Sequence, residues 1–291
     1  MATIREKKVG KKRYYYIEHS YKEKGNVKTA SKYIGNRKPK DIDKLKKEFE
    51  LKLIRQLFSE SISAIKKAYS DEIKSMPAVA IQKKLDSFMV EFIYNSDKIE
   101  GSKLSYKDTA DLFIHRITPK DKPLKDVKEA EGYKDAFYDM VKYNGKLDIS
   151  KVLEWHKIIF ENSDLVIAGR LRLHKIMVTG SRVNFPYPND LKKLLKDFFV
   201  WCEENNKKYN PVEFAALVHL KFVTIHPFSD GNGRISRLLA NYILNRNNYP
   251  MLNIKVKDRK AYYHNLEKSQ LWNNETSFLR FFIKIYLKQN R

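Results

Sequence analysis

A mainly α-helical protein with a small β appendage at its N-terminus is the fold class the sequence predicts, and three observations carry that expectation. From Asp41 onward apolar residues recur at the helical period, about 3.6, as expected of helices with one buried face. Glycine and proline number only 10 and 9 in 291 residues, too few for collagen, low-complexity linker or a turn-rich all-β sandwich. Residues 13–34 alone carry the Tyr- and Ile-rich pattern of strands broken by a turn cluster. A hydrophobic share of 42% sustains a core despite a net charge of +23, so the chain is not a disordered polycation.

The elements follow in order. Residues 13–21 and 27–34 read as strands around the turn Glu23, Lys24, Gly25, Asn26. An isolated hairpin is marginal in water, so residues 3–9 are the candidate third strand. Gly35 to Pro39 punctuates the chain, giving a basic β-rich module over 1–40 and a helical domain over 41–291. Within the latter, 41–115 holds N-terminal helices and 116–291 the central and C-terminal ones. Ile42, Leu45, Phe49, Leu53, Leu57, Ile62 and Ile65 line one face of a first long helix, and Pro77 opens a second. Further helical patterns cover 105–115, 125–144, 148–162, 189–206, 211–225, 233–247, 258–270 and 276–289, with Asp148 and Asn210 as N-caps. One stretch breaks the rhythm. Residues 173–178 and 182–185 flank Thr179, Gly180 and Ser181 as a short β-hairpin closed by Pro186 and Pro188. It is either a connector or an open edge for an extended peptide.

Cys202 is the only cysteine, which excludes an intrachain disulfide framework and a cysteine zinc knuckle. No apolar run reaches the roughly 20 residues a membrane span needs, and the first residues lack a signal-peptide core; a cytoplasmic protein without membrane partners is expected. Residues 1–40 carry 13 Lys and Arg against three Glu. With Tyr14, Tyr15, Tyr16 and Tyr21 interleaved, that module is either a nucleic-acid surface or a solubilising lysine-rich segment.

The chemistry concentrates in 226–237. His226 ends one helical pattern, and Gly231, Asn232 and Gly233 form a bend from which the next helix starts. Amide N–H groups at a helix N-terminus bind anions. Arg234 and Arg237 can face the same site, Asp230 offers a hard oxygen to Mg²⁺, and His226 accepts a proton near neutral pH. Base, metal ligand and anion donors are what group transfer from a nucleoside triphosphate requires. No P-loop, dinucleotide fingerprint or H-E-x-x-H zinc motif competes.

The stretch from His226 to Arg237 resembles the complete Fic-family signature H-x-F-x-[DE]-G-N-G-R-x-x-R, and the likeness extends over about residues 81–285. The resemblance implies a Fic-type helical bundle with a β-hairpin flap, and transfer of AMP from ATP to a Ser, Thr or Tyr hydroxyl of a target protein. It makes His226 the general base, Phe228 an apolar anchor, and Asp230 the ligand of Mg²⁺ or Mn²⁺. Gly231, Asn232 and Gly233 would cradle phosphate, with Arg234 and Arg237 toward its β/γ end. The flap, Ile176, Met177, Val178, Thr179 and Gly180, would pair with the target peptide. Tyr262 and Tyr263 fall on the nucleoside-side helix, where either touches adenine or belongs to the core. Ser96, Glu100 and Gly101 fit the family's inhibitory pattern [ST]-x-x-x-E-[GN], which implies that Glu100 neutralises Arg237 and blocks the γ-phosphate seat. Automodification and a homodimer are further expectations. The alternatives are another nucleotide or phosphate donor, de-AMPylation, or a nucleic-acid-binding regulator with a nucleotide-sensing body. His19, His115, His156, His174, His219 and His264 lack metal spacing and read as surface or core residues, and Glu129 and Glu131 as a solvated helix face.

Overall fold

The period-two stretch forms an antiparallel meander of β1 (Thr3–Val9), β2 (Lys12–Glu23) and β3 (Asn26–Gly35). Ile17 and His19 turn inward from β2 and are buried, as are Glu50, Leu53 and Ile54 on α1 (Ile42–Ser75). Glu50 is a buried carboxylate held by the backbone N–H of Ala2 and the imidazole of His19, which satisfies a charge that burial would otherwise penalise. The computed structural model describes residues 2–23, 25–178 and 180–290. The chain divides into two compact units, Met1–Ser63 and Ala64–Arg291.

The second unit is helical. After α1 come α2 (Ala78–Glu100), α3 (Tyr106–Ala110), α4 (Leu124–Lys142), α5 (Ile149–Phe160), α6 (Leu191–Asn205), α7 (Pro211–Ile225), α8 (Asn232–Arg246), α9 (Arg259–Leu271) and α10 (Thr276–Gln289). The sequence of α7 is apolar almost all round, and Val212, Ala215, Val218 and Phe222 are fully buried, the mark of a central helix. It packs along α8 and also meets α6 and α10, while α2 lies on α4 and α8. Asp148 and Asn210 cap α5 and α7 by accepting the N–H of Lys151 and Val212 at 2.8 and 2.9 Å. The predicted helix over 105–115 splits into α3, opened by a Ser105–Asp108 capping box, and a π-helical turn over Asp111–His115. No helix among the described residues is long and apolar enough to cross a membrane.

The predicted hairpin is a correction. Residues 173–178 and 182–185 form an extended arm with a tight turn, Ser181 N–H to Val178 carbonyl at 3.0 Å, but no strand pairing among the described residues. Thr179 lies outside those residues. Two short strands with no third partner gain little from pairing. What fixes this arm is Arg172, a buried guanidinium that donates to the carbonyls of His174, Pro186 and His226 at 2.7–2.8 Å.

Candidate active site

The site grows from the junction of α7 and α8. His226, just past the end of α7, adopts a left-handed backbone at φ 52°, rare for a side chain with a Cβ and common where function holds it. Its Nδ1–H donates to the Val223 carbonyl at 3.1 Å, which leaves Nε2 as the proton acceptor. Burial, reinforced by the nearby Arg172 cation and opposed by the Val223 bond, lowers its pKa to about 4. The ring is therefore neutral at physiological pH. Phe185, from the arm, covers it with ring centroids 4.1 Å apart.

Phe228 pins the following loop. It is 1% exposed and stacks on His156 at 3.7 Å and 14°. The Asn232 side chain spends both ends of its amide on Phe228, accepting its N–H at 2.9 Å and donating to its carbonyl at 2.8 Å. What Asn232 can offer an anion is thus its backbone N–H, one of the first N–H groups of α8 that have no intrahelical acceptor. His156 Nδ1 accepts from Gly169 N–H at 3.0 Å, so its Nε2–H donates to the Asp230 carbonyl at 3.1 Å. It is a core histidine, as its lack of metal spacing indicates, yet it buttresses the loop. Nothing in the one-dimensional pattern marks that role.

Gly231 has φ +79°, and a Cβ there would meet the Phe160 ring at 2.5 Å and His156 Nε2 at 3.3 Å. Gly231→Ala combines backbone strain of roughly 1–3 kcal/mol with a ring collision. A clear fall in melting temperature together with loss of nucleotide binding is expected, read by thermal denaturation with and without ATP.

The two arginines of α8 differ in surroundings. Arg237 is buried and donates from Nε to Ser96 Oγ at 2.7 Å, from NH2 to Glu100 Oε1 at 2.6 Å, and from NH1 toward Tyr262 Oη at 3.4 Å. Ser96 Oγ–H in turn donates to the Tyr133 hydroxyl at 3.1 Å, which donates to the Arg234 carbonyl at 3.0 Å. Burial works against the charge of Arg237, but Glu100 and the surrounding tyrosine hydroxyls hold it firmly protonated. Glu100 Oε1 lies so close over Gly233 that an added Cβ would strike it. The carboxylate therefore sits on the N-terminal end of α8. Gly101 ends α2 in the left-handed region at φ 105°, a helix-terminating glycine, and so aims Glu100.

Arg234 is enclosed by carboxylates: Glu129 at 2.5 Å, Asp97 at 3.6 Å and Asp230 at 3.5 Å, with the Phe160 ring 4.7 Å from its guanidinium carbon. The expectation of a solvated Glu129 is corrected. It is 8% exposed because Arg234 draws it inward, whereas Glu131 pairs with Lys128 at 2.9 Å on the surface. Asp97 was unmarked by sequence; it is buried beside Ser96, and burial pushes its pKa upward against the pull of Arg234. Tyr262 is 1% exposed, its hydroxyl between His219 Nε2 at 3.0 Å and Arg237. Tyr263 is half-buried, its hydroxyl 3.4 Å from Glu100 Oε2. Gln270 donates to Thr224 Oγ1 at 3.2 Å.

Three buried imidazoles, His156, His219 and His226, all have pKa values lowered chiefly by burial. The unfolded chain binds protons that the folded one refuses between the ordinary value near 6.5 and the folded values, so their contribution to stability is lost as pH falls through that window. Asp97, shifted the other way, opposes this with one group against three. The urea midpoint is expected to drop between about pH 7 and about pH 5.

Residues 146–244 match the Fic/DOC family. Protein adenylyltransferase Fic of Nematostella vectensis is 30% identical over 223 residues, 74% of this chain and 52% of that protein. The protein of the same name in Drosophila melanogaster is 34% identical over 212 residues, 72% of this chain and 42% of that one. Among solved structures, a Fic domain containing signaling protein from Bacteroides thetaiotaomicron superposes with a TM-score of 0.72 at 25% identity, covering 79% of this chain and 94% of that chain. Fic-1 from Caenorhabditis elegans gives 0.73 at 25% identity, covering 86% and 73%. The chain spans about half, or less, of the length of these curated relatives. With the signature folded as the loop after α7 and the first turns of α8, and with relatives alike over most of its length, the chain carries a Fic/DOC-family domain.

Proposed function

We propose that the chain is a protein adenylyltransferase that moves AMP from ATP to a hydroxyl of a protein target and is restrained by its own Glu100. The observation that carries this is the pairing, within one loop, of a neutral His226 with an open Nε2 and an α8 N-terminus whose arginine is already seated on a carboxylate. The curated relatives bear the name of that activity.

In this reading the target hydroxyl oxygen attacks the α-phosphorus. The new oxygen–phosphorus bond forms as the bond to the β-phosphate bridging oxygen breaks, pyrophosphate leaves, and the hydroxyl proton passes to His226 Nε2. The first N–H groups of α8 and Arg237 hold the phosphates at fixed positions. Arg172 fixes the His226 backbone through its carbonyl, and Phe185 packs against the imidazole. Asp230 is the residue fit to hold Mg²⁺ or Mn²⁺. Its side chain is half-exposed, one oxygen accepts the Gly231 N–H at 2.6 Å, and no cluster of three or more metal-ligating side chains occurs among the described residues. A single carboxylate suits a cation that keeps water and shares the nucleotide's phosphates. Such an ion, when bound, neutralises charge on those phosphates.

The arm at 173–178 is the surface for the target. Leu173 and Met177 are each 92% exposed, Ile176, Val178 and Gly180 continue the same stretch, and its backbone has no strand partner among the described residues, as β-augmentation by a peptide needs. Tyr263 rather than the buried Tyr262 is the wall for the nucleoside. Automodification follows if a hydroxyl of this chain reaches the same arm. The test is incubation of the Glu100→Gly protein with ATP labelled at the α-phosphate and lysate, followed by mass mapping. One AMP on a hydroxyl supports the reading; label on no protein, or a different added group, refutes it.

A further inference from the structure

The outer face of the three-stranded sheet takes no part in that chemistry. Register decides which side chains share it. Arg5 stands opposite Tyr16 and Lys7 opposite Tyr14 across β1 and β2, and Tyr16 stands opposite Tyr33 across β2 and β3. Side chains alternate faces along a strand, so the buried Ile17 and His19 define the inner face, and Tyr14 and Tyr16 the outer one.

Three phenol rings meet there. Tyr14 and Tyr16 lie 6.2 and 5.4 Å from Tyr33, inclined by 47° and 53°, and Tyr33 is 51% exposed. Lys7 Nζ sits 4.6 Å from the Tyr16 centroid. Glu18, the acidic residue on this face, is engaged by Arg5 at 3.3 Å and Ser31 at 3.4 Å. The sheet already buries its other face, so this aromatic strip is not needed to make a core. An exposed aromatic cluster with a basic rim calls for a partner. A register irregularity between Tyr15 and Tyr16 also sharpens the local twist that presents the rings.

The chemistry of the strip selects among anionic partners. Its surroundings are strongly positive, with 13 Lys and Arg against three Glu in residues 1–40. Flat, sequence-tolerant π surfaces beside lysines match unpaired bases on a phosphate backbone. A duplex hides its base faces, and a lipid surface asks for apolar depth rather than hydroxylated rings. We propose that this sheet face binds single-stranded nucleic acid, with bases stacked on Tyr33 and Tyr16 and phosphates held by Lys7 and Arg5.

The test is fluorescence anisotropy of a labelled oligo(dT) with the 291-residue chain at low salt. Tyr33→Ala should weaken binding roughly 5- to 150-fold, the value of one stacked base. Tyr33→Phe should keep binding, whereas Tyr33→Leu, which preserves apolar bulk without a π face, should not. Lys7→Gln should lower the slope of log affinity against log salt by about 1. Lys192→Gln, an exposed lysine of α6, serves as the comparator and should change little. The proposal is overturned by absence of binding, by equal binding of duplex or phosphatidylserine vesicles, or by a Tyr33→Ala effect no larger than that of Lys192→Gln.

Discussion

The proposed AMP transfer should fall about 10²–10⁴-fold when His226 loses its imidazole, the usual range for removing a general base. The expectation rests on the tautomer. Nδ1 is committed to the Val223 carbonyl, so Nε2 is the nitrogen that takes the proton. Alanine at φ 52° would add backbone strain, and His226→Asn is the better probe because asparagine tolerates the left-handed region. Its ATP affinity should stay near that of the unsubstituted protein while turnover collapses, read by single-turnover kinetics and nucleotide titration. The low pKa sharpens the case. With a value near 4, the base is neutral throughout the range from about pH 6 to 8, and the rate should be flat there. An ordinary imidazole would lose half its activity near pH 6.5. A rate that halves near that value, or a His226→Asn protein that keeps its turnover, removes His226 from the role of base.

The signature was legible because its chemistry is local. Twelve consecutive positions, His226 to Arg237, hold the base, the bend and the helix start, so the chain needs no long-range information to place them together. Asp148 and Asn210 were legible as caps for the same reason: their partners lie two or three residues on. What escaped the sequence is what depends on distant segments. His156 reaches Asp230 across 74 positions and Glu129 reaches Arg234 across 105; no spacing rule spans such separations. Glu129 reads as solvated on a helix drawn alone, and becomes buried only because α8 brings a guanidinium to it. Tyr262 and Tyr263 illustrate the limit of periodicity. Both lie on α9, yet one is packed between His219 and Arg237 and its neighbour is half-buried beside Glu100. The arm at 173–185 has the alternation of a hairpin, but Arg172 supplies the carbonyl bonds that strand pairing would have made.

Glu100→Gly should raise AMP transfer roughly 10- to 150-fold, the equivalent of one charge-assisted hydrogen bond worth about 1.5–3 kcal/mol. The carboxylate holds Arg237 at 2.6 Å and covers Gly233 at the start of α8, so a triphosphate must displace it before its terminal oxygens can settle on the same donors. Removing it has a second, opposite consequence. Arg237 is 2% exposed, and without its counter-ion it is left to Ser96 and Tyr262, neither of which carries charge. A buried cation that loses its partner destabilises the fold, and glycine in the last turn of α2 adds helix propensity loss of about 1 kcal/mol. The variant should therefore melt earlier than the unsubstituted protein in the absence of nucleotide and gain more from ATP, because the phosphates restore the missing negative charge. Glu100→Gln separates the two effects: it keeps the side chain's length and helix propensity but removes the charge, so it should activate while costing less stability than glycine. An active Glu100→Gly protein whose melting point is unmoved by ATP would show that Arg237 does not receive the triphosphate. An unchanged rate in both variants would show that the carboxylate on α8 is no brake.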